Sequence, residues 1–303
     1  MLAYLFPGQG SQSVGMGADL ALSFPEAKAV FDEANDTLGF GLTDLMFGSA
    51  ADAEVQLTET QNTQPALYTH SLAAFAILEA RGEQPDVTAG HSLGEYSALA
   101  AAGAFTFADG LRVVRRRGEL MAQARAGTMA AVLGLDDAAV EQVCADVSRA
   151  GEGVVVPANY NAPGQVVVSG DVAAVERALT AFSDAGARRV LPLSVSGAFH
   201  SPLMADAQAA FAATLDALDL RTPRCPVVLN VTAAPTTDPD EIRRRLVEQL
   251  TAPVRWAQSL TRIQDDGATR YVEVGSGKVL SGLAKRTLGR QADTGQAGGV
   301  DDF

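Results

Sequence analysis

Short apolar runs of strand length alternate with longer stretches of helical period from Leu2 to Val274. That alternation predicts an α/β protein built on a mostly parallel sheet. Leu2–Phe6 reads as a buried strand that ends in a glycine-rich turn. Thr63 ahead of Pro65 reads as the N-cap and early proline of a helix reaching about Arg81. Val87–Ala89 is a short strand running into Gly90, with helical patterns following at Leu93–Ala102 and Ala108–Gln123. The next stretch has its own order. Met129–Leu133 is strand-like and Asp136–Ala150 helical; Val154–Asn159 and Gln165–Ser169 are strands about the turn Asn161-Ala162-Pro163-Gly164. Asp171–Ala185 is helical again, and Arg189–Leu193 is a strand. This βαββαβ succession is the ferredoxin-like arrangement, and a unit whose ends lie close together can be inserted into a larger domain. The expected organisation is therefore a large domain in two parts, residues 1–125 and 197–288, interrupted by a ferredoxin-like subdomain at 126–196. Strands at Val227–Asn230 and Tyr271–Val274 would complete the main sheet. Residues 289–303 carry almost no apolar face and are expected to form a disordered tail.

Charge and composition narrow the function classes. With 36 acidic against 23 basic side chains the net charge is −13, which argues against nucleic acid as a partner. Three His and two Cys, scattered without paired spacing, offer no metal site and no disulfide framework. Cys144 and Cys225 read as buried, reduced thiols. The start, MLAYLFPGQG, lacks a basic segment and is broken by Pro7 and Gly8, unlike a signal peptide. The longest apolar stretch, Tyr96–Ala108, is too short to span a bilayer. A soluble, cytoplasmic monomer without a membrane association is expected.

The strongest local signal is Gly90-His91-Ser92-Leu93-Gly94, a G-x-S-x-G sequence between a predicted strand and a predicted helix. In that context the serine sits on a tight turn with its hydroxyl exposed at a helix N-terminus, where backbone N–H groups favour developing negative charge. A serine nucleophile needs a base, and only three histidines are available. His91 adjoins Ser92 and more naturally orders the turn; His70 falls mid-helix and reads as a half-buried structural residue. His200 lies in the loop Gly197–Pro202, where the chain leaves the inserted unit, and is the leading base by elimination. In the helix Ala108–Gln123, Val113, Val114, Arg117 and Met121 share one face, so Arg117 directs its guanidinium into an apolar environment. It must find either an internal carboxylate or an anionic ligand, and a guanidinium fork matches a carboxylate with two parallel hydrogen bonds. Pro7–Gln12 lacks the lysine of a phosphate-binding loop and reads as a turn presenting backbone N–H groups to an oxyanion.

Taken together these segments resemble the malonyl-CoA:acyl-carrier-protein transacylase family of bacterial fatty acid synthesis, and the related acyltransferase domains of polyketide synthases. The likeness lies in FPGQGSQ (6–12), TQPAL (63–67), GHSLGEYSAL (90–99), RRG (116–118), NYNAPGQVVVSG (159–170), GAFHSPLM (197–204) and VEVGSGKVLSGL (272–283), in order over residues 1 to about 287. The resemblance implies an α/β-hydrolase-like large domain with a ferredoxin-like insertion. It implies Ser92 as nucleophile, His200 as base, and the backbone N–H groups of Gln9 and Leu93 as an oxyanion hole. Arg117 would clamp the malonyl carboxylate beside Met121, and Phe199 matches the bulky residue of malonyl-selective members. A backbone carbonyl near Gln249 would support the histidine, giving a dyad without an acidic third member. The implied substrates are malonyl-CoA and the phosphopantetheine thiol of acyl carrier protein, with no metal and no redox cofactor. Because that carrier is acidic like this chain, its docking calls for a local basic patch, with Arg188, Arg189, Lys278, Lys285 and Arg286 as candidates. Two departures from the family pattern are Ala252-Pro253-Val254, often Asn-Pro-Val, and Ser276, often Pro. Read from the elbow alone, a serine esterase or thioesterase is the first rival; a catalytically idle acyltransferase-like scaffold is the second, and a stand-alone polyketide acyltransferase with malonyl or other acyl specificity is the alternative within the resemblance.

Overall fold

The computed structural model describes residues 1–124, 127–195 and 197–303. Its strands are, in chain order, β1 (Leu2–Phe6), β2 (Val87–Gly90), β3 (Thr128–Leu133), β4 (Val155–Ala162), β5 (Gln165–Gly170), β6 (Arg189–Pro192), β7 (Val227–Val228), β8 (Pro235–Thr236), β9 (Arg270–Val274) and β10 (Asp293–Ala297). One sheet has the order β10-β9-β1-β2-β7-β8 and the other β4-β5-β3-β6. The larger sheet is parallel throughout except for β8, which returns antiparallel on β7. The smaller is wholly antiparallel, with the strand order of a ferredoxin-like unit. The α/β class and the mostly parallel sheet are as the alternation predicts, and helices on both sides give the α/β-hydrolase-like layout.

The central strand shows why the chain folds this way. In β1, Tyr4 and Phe6 enter one core cluster and Ala3 and Leu5 another, so both faces are covered. The helix Thr60–Ala80 is buried along most of its length and packs against the helix Phe107–Gln123. Gly118 permits that approach, since a Cβ there would stand 2.8 Å from the Gln61 Cα. The small sheet is tied to the segment ahead of the helix Trp256–Asp265, where Tyr160 N–H donates to the Val254 carbonyl and Val254 N–H to the Ala158 carbonyl, both at 2.9 Å.

Three expectations are revised. The helix expected to open at Thr63 begins at Thr60, and the Thr63 hydroxyl donates to the Leu57 carbonyl at 2.6 Å instead of capping. Pro65 therefore sits inside the helix. The carbonyl it leaves without an i+4 donor, that of Gln61, accepts from Arg115 Nη1 at 3.0 Å. The segment 289–303, expected to be disordered, adds β10 to the sheet edge, paired with β9 from Asp293–Arg270 to Ala297–Val274. Ladder hydrogen bonds at an edge do not require apolar alternation, and only Ala297 of this strand is buried. Beyond it, Asp302 accepts the Gly298 and Gly299 N–H groups and Asp19 accepts that of Val300. Cys225, expected to be buried, is only half-buried, while Cys144 is buried and both thiols are free. The expected seams of the insertion, at 125/126 and 196/197, involve Arg125, Ala126 and Ser196, which lie outside the described residues. No helix among the described residues is long and apolar enough to cross a membrane.

Candidate active site

Ser92 lies two residues past the end of β2, after His91, and holds φ at 51°, in the left-handed region. The two glycines of the motif make this turn possible. A Cβ on Gly90 would lie 1.9 Å from the Gly94 carbonyl oxygen, and one on Gly94 would lie 2.0 Å from the Phe6 carbonyl oxygen. Any larger residue would force the turn away from the ends of β1 and β2.

His200 also has a positive φ, 56°, and its Nε2 lies 2.8 Å from Ser92 Oγ. Its Nδ1 lies 2.9 Å from the Gln249 carbonyl and 3.2 Å from that of Ala252. Carbonyls only accept, so Nδ1 carries the hydrogen and Nε2 presents its lone pair to the serine. Burial, then the nearby Arg117 charge, hold the His200 pKa down to about 3. The Ala252 departure thus reaches the histidine, but through a backbone oxygen that the side-chain change leaves in place. At the other departure, Ser276 Oγ donates to the Ser11 carbonyl at 2.7 Å, a bond proline could not make.

Arg117 is 1% exposed. Its Nη1 donates to Gln64 Oε1 at 2.8 Å, and its Nη2 to Gln249 Oε1 at 3.0 Å and to Ser92 Oγ at 3.2 Å. The guanidinium carbon stands 5.4 Å from the Tyr96 ring centroid, and Nε has no partner among the described residues. Of the two partners left open by the sequence, no carboxylate makes an ion pair with it among the described residues. Neutral amides hold it instead. Glu95, fully buried nearby, has its pKa pushed up to about 8, chiefly by burial, and its Oε2 accepts the Asn230 N–H at 2.6 Å. The guanidinium charge is therefore available to an anion.

Gln9, Ser92, Leu93, Arg117, Met121, Phe199 and His200 all line one cavity of about 190 Å3, and Gln249 stands fully buried behind it. The backbone N–H groups of Gln9 and Leu93 donate to no other protein group among the described residues. The Gln9 side chain is fixed by a hydrogen bond from Thr60 Oγ1 at 2.8 Å. His91 orders the turn from outside, 2.8 Å from Asn161 Oδ1 and edge-on to Trp256. His70 is 1% exposed, more deeply buried than expected, with its pKa lowered to about 4 by burial, and it lies away from this cavity.

Sequence reasoning missed Gln64, Glu95 and Asn230. Gln64 lies inside the TQPAL motif, and Glu95 is the lone carboxylate in an otherwise uncharged, buried helix, Gly94–Ala101. Asn230 gave no signal beyond closing an expected strand. Together the groups can deprotonate Ser92 through His200, meet an oxyanion with two N–H donors, and pair a guanidinium with a second anionic group 3 Å or so from the nucleophile.

The acyl transferase domain family matches residues 3–299. A malonyl CoA-acyl carrier protein transacylase of Bacillus subtilis is 48% identical over 288 residues, covering 94% of this chain and 90% of that protein. The crystal structure of a malonyl-CoA:acyl carrier protein transacylase from Xanthomonas oryzae superposes with a TM-score of 0.93 at 43% identity, covering 99% and 95% of the two chains. A malonyl-transacylase in complex with its type II polyketide acyl-carrier protein superposes at 0.94, with 40% identity over 99% and 97% of the chains. The chain belongs to the acyl transferase domain family, in its group of malonyl-CoA:acyl-carrier-protein transacylases.

Proposed function

We propose that this protein moves the malonyl group from malonyl-CoA to the phosphopantetheine thiol of acyl carrier protein, through a malonyl ester on Ser92. In this role it supplies extender units for fatty acid synthesis in the cytoplasm. The observation that carries it is a buried guanidinium, held by neutral amides, 3.2 Å from the serine oxygen. An esterase for neutral acyl groups has no use for that charge, whereas a malonyl carboxylate would cancel it.

His200 Nε2 takes the Ser92 proton as Oγ attacks the thioester carbonyl. The oxyanion forms against the Gln9 and Leu93 N–H groups and collapses, and the CoA thiolate leaves with the proton from His200. The malonyl ester stays on Ser92, its carboxylate on Arg117. The carrier thiol then gives its proton to His200, and its sulfur attacks the ester carbonyl. Ser92 Oγ leaves and takes the proton back. Every group in this sequence comes from the chain or its two substrates, and the reading calls for no metal or redox cofactor. Met121 and Phe199 shape the wall beside the acyl group.

The test is labelling by radiolabelled malonyl-CoA. Ser92→Ala should take up no label, and label on that variant would overturn the reading. Arg117→Ala should lower the preference for malonyl-CoA over acetyl-CoA by about thirtyfold, the equivalent of about 2 kcal/mol for a lost buried charge pair. Rapid hydrolysis of the malonyl-enzyme without carrier would favour a thioesterase instead.

A further inference from the structure

The side chain of Asn230 has no part in the reaction above, yet it brackets the serine turn on both sides. β2 and β7 run parallel, pairing Thr88 with Val227 and Ala89 with Val228, and then separate as β2 enters the elbow. Two residues past β7, the Asn230 amide takes over from the backbone. Its Nδ2 donates to the Gly90 carbonyl at 2.6 Å and its Oδ1 accepts the Ser92 N–H at 2.8 Å. A side-chain amide has the same donor and acceptor as a peptide group, so it adds one more rung to the ladder. Asn230 is itself fixed, since its backbone N–H donates to Glu95 Oε2 at 2.6 Å and Gln249 Nε2 lies 3.4 Å from its Oδ1. Asn230 and Glu95 are both fully buried. Serine keeps a φ of 51° only where its surroundings impose it.

We infer that Asn230 is a positioning residue for the nucleophile: its amide clamps the backbone on either side of His91, holding Ser92 in the conformation that aims Oγ at His200 Nε2. Glu95 anchors the clamp from behind. The inference rests on Ser92 as nucleophile and is indifferent to which acyl group is carried.

The experiment compares Asn230→Ala and Asn230→Asp with the parent enzyme, each normalised to folded protein by thermal denaturation. Two rates are read: steady-state malonyl transfer, and inactivation by methanesulfonyl fluoride, a small uncharged reagent for a nucleophilic serine. Asn230→Ala should lower kcat and the inactivation rate together by about 100-fold, the effect of displacing a reacting atom by an ångström, while KM for malonyl-CoA moves by less than about threefold. Asn230→Asp keeps the acceptor for Ser92 but loses the donor to Gly90, and should also be slow. Normal rates per folded molecule, in either variant, would overturn the clamp. So would a raised KM with normal inactivation, which would assign Asn230 to substrate binding. If the parent reacts with the sulfonyl fluoride but not with malonyl-CoA, the proposed function fails while the clamp is still decided by the inactivation rates.

Discussion

Arg117 helps to keep His200 neutral, because the guanidinium stands by a base that burial has already stripped of water. The His200 pKa is held at about 3, so the imidazole is neutral and able to accept a proton at any higher pH. An unperturbed histidine, with its pKa near 6.5, would be about nine-tenths protonated at pH 5.5 and a tenth as active. The rate of Ser92 acylation, measured by rapid-quench labelling, should therefore fall less than twofold between pH 7.5 and 5.5. A tenfold fall would place His200 in the ordinary range. The sign for Arg117→Ala follows: removing a positive neighbour raises the histidine pKa, so an acid limb should move up, read with acetyl-CoA so that carboxylate binding does not enter. These side chains were legible in the sequence because they are scarce types in conspicuous places: three histidines in the chain, and one arginine on an apolar helix face. Asn230 was not legible. Its role depends on the Ser92 backbone, 138 positions away, and no local pattern marks an amide that substitutes for a peptide group.

At the scale of elements, periodicity located most of the strands that bury a face, left the helix Pro25–Leu38 unread although it buries Ala27, Phe31 and Ala34, and failed where hydrogen bonding alone defines the element. β1, with core on both sides, is read correctly to the residue. β10, with the sequence DTGQA, has no apolar alternation and was missed, although five residue pairs join it to β9. The early turn of the Thr60–Ala80 helix was missed for a related reason: proline marks a helix start only when no side chain elsewhere satisfies the freed carbonyl, and Arg115 does so here. The tail is thus a structural element with a cost on removal. Beyond β10, Phe303 packs edge-on to Phe24 at 5.4 Å, and Arg81 donates to its carbonyl at 2.9 Å. Ending the chain after Arg290 should strip the β9 edge and lower stability by on the order of 2 kcal/mol, a melting shift of roughly 3 °C for a chain of this length. Added aggregation is expected from the open edge. Unchanged melting and solubility would show that the strand merely rests there.

Over the whole molecule, a net charge of −13 repels another acidic protein, so carrier docking must depend on where the few basic side chains lie. Arg188, Arg189, Lys278, Lys285 and Arg286 are all exposed. Leu133 pairs with both Gln165 and Arg189, and Arg286 hydrogen-bonds to Gln165, so basic residues of the inserted sheet and of the helix Val279–Leu288 meet at one end of the small sheet. A groove lined by Gln165, Val279, Leu280 and Leu283 leads from there and shares Gln9, His91 and Asn161 with the reaction cavity. A phosphopantetheine arm following it would arrive at Ser92 while its carrier stayed on the basic rim. Reversing Lys285 and Arg286 to glutamate should raise KM for the carrier about tenfold at low salt. The effect should shrink towards 0.5 M salt, where exposed charges about 10 Å apart are screened. The donor for this measurement is malonyl-N-acetylcysteamine, which brings no CoA phosphates to the same basic side chains, and the rate of Ser92 acylation from it should be unaltered. A carrier KM indifferent to both reversal and salt would move docking elsewhere and leave the groove without its occupant. Loss of acylation itself would mean instead that the helix contributes to the site through its packing on β9, where Glu273 accepts the Leu280 and Ser281 N–H groups.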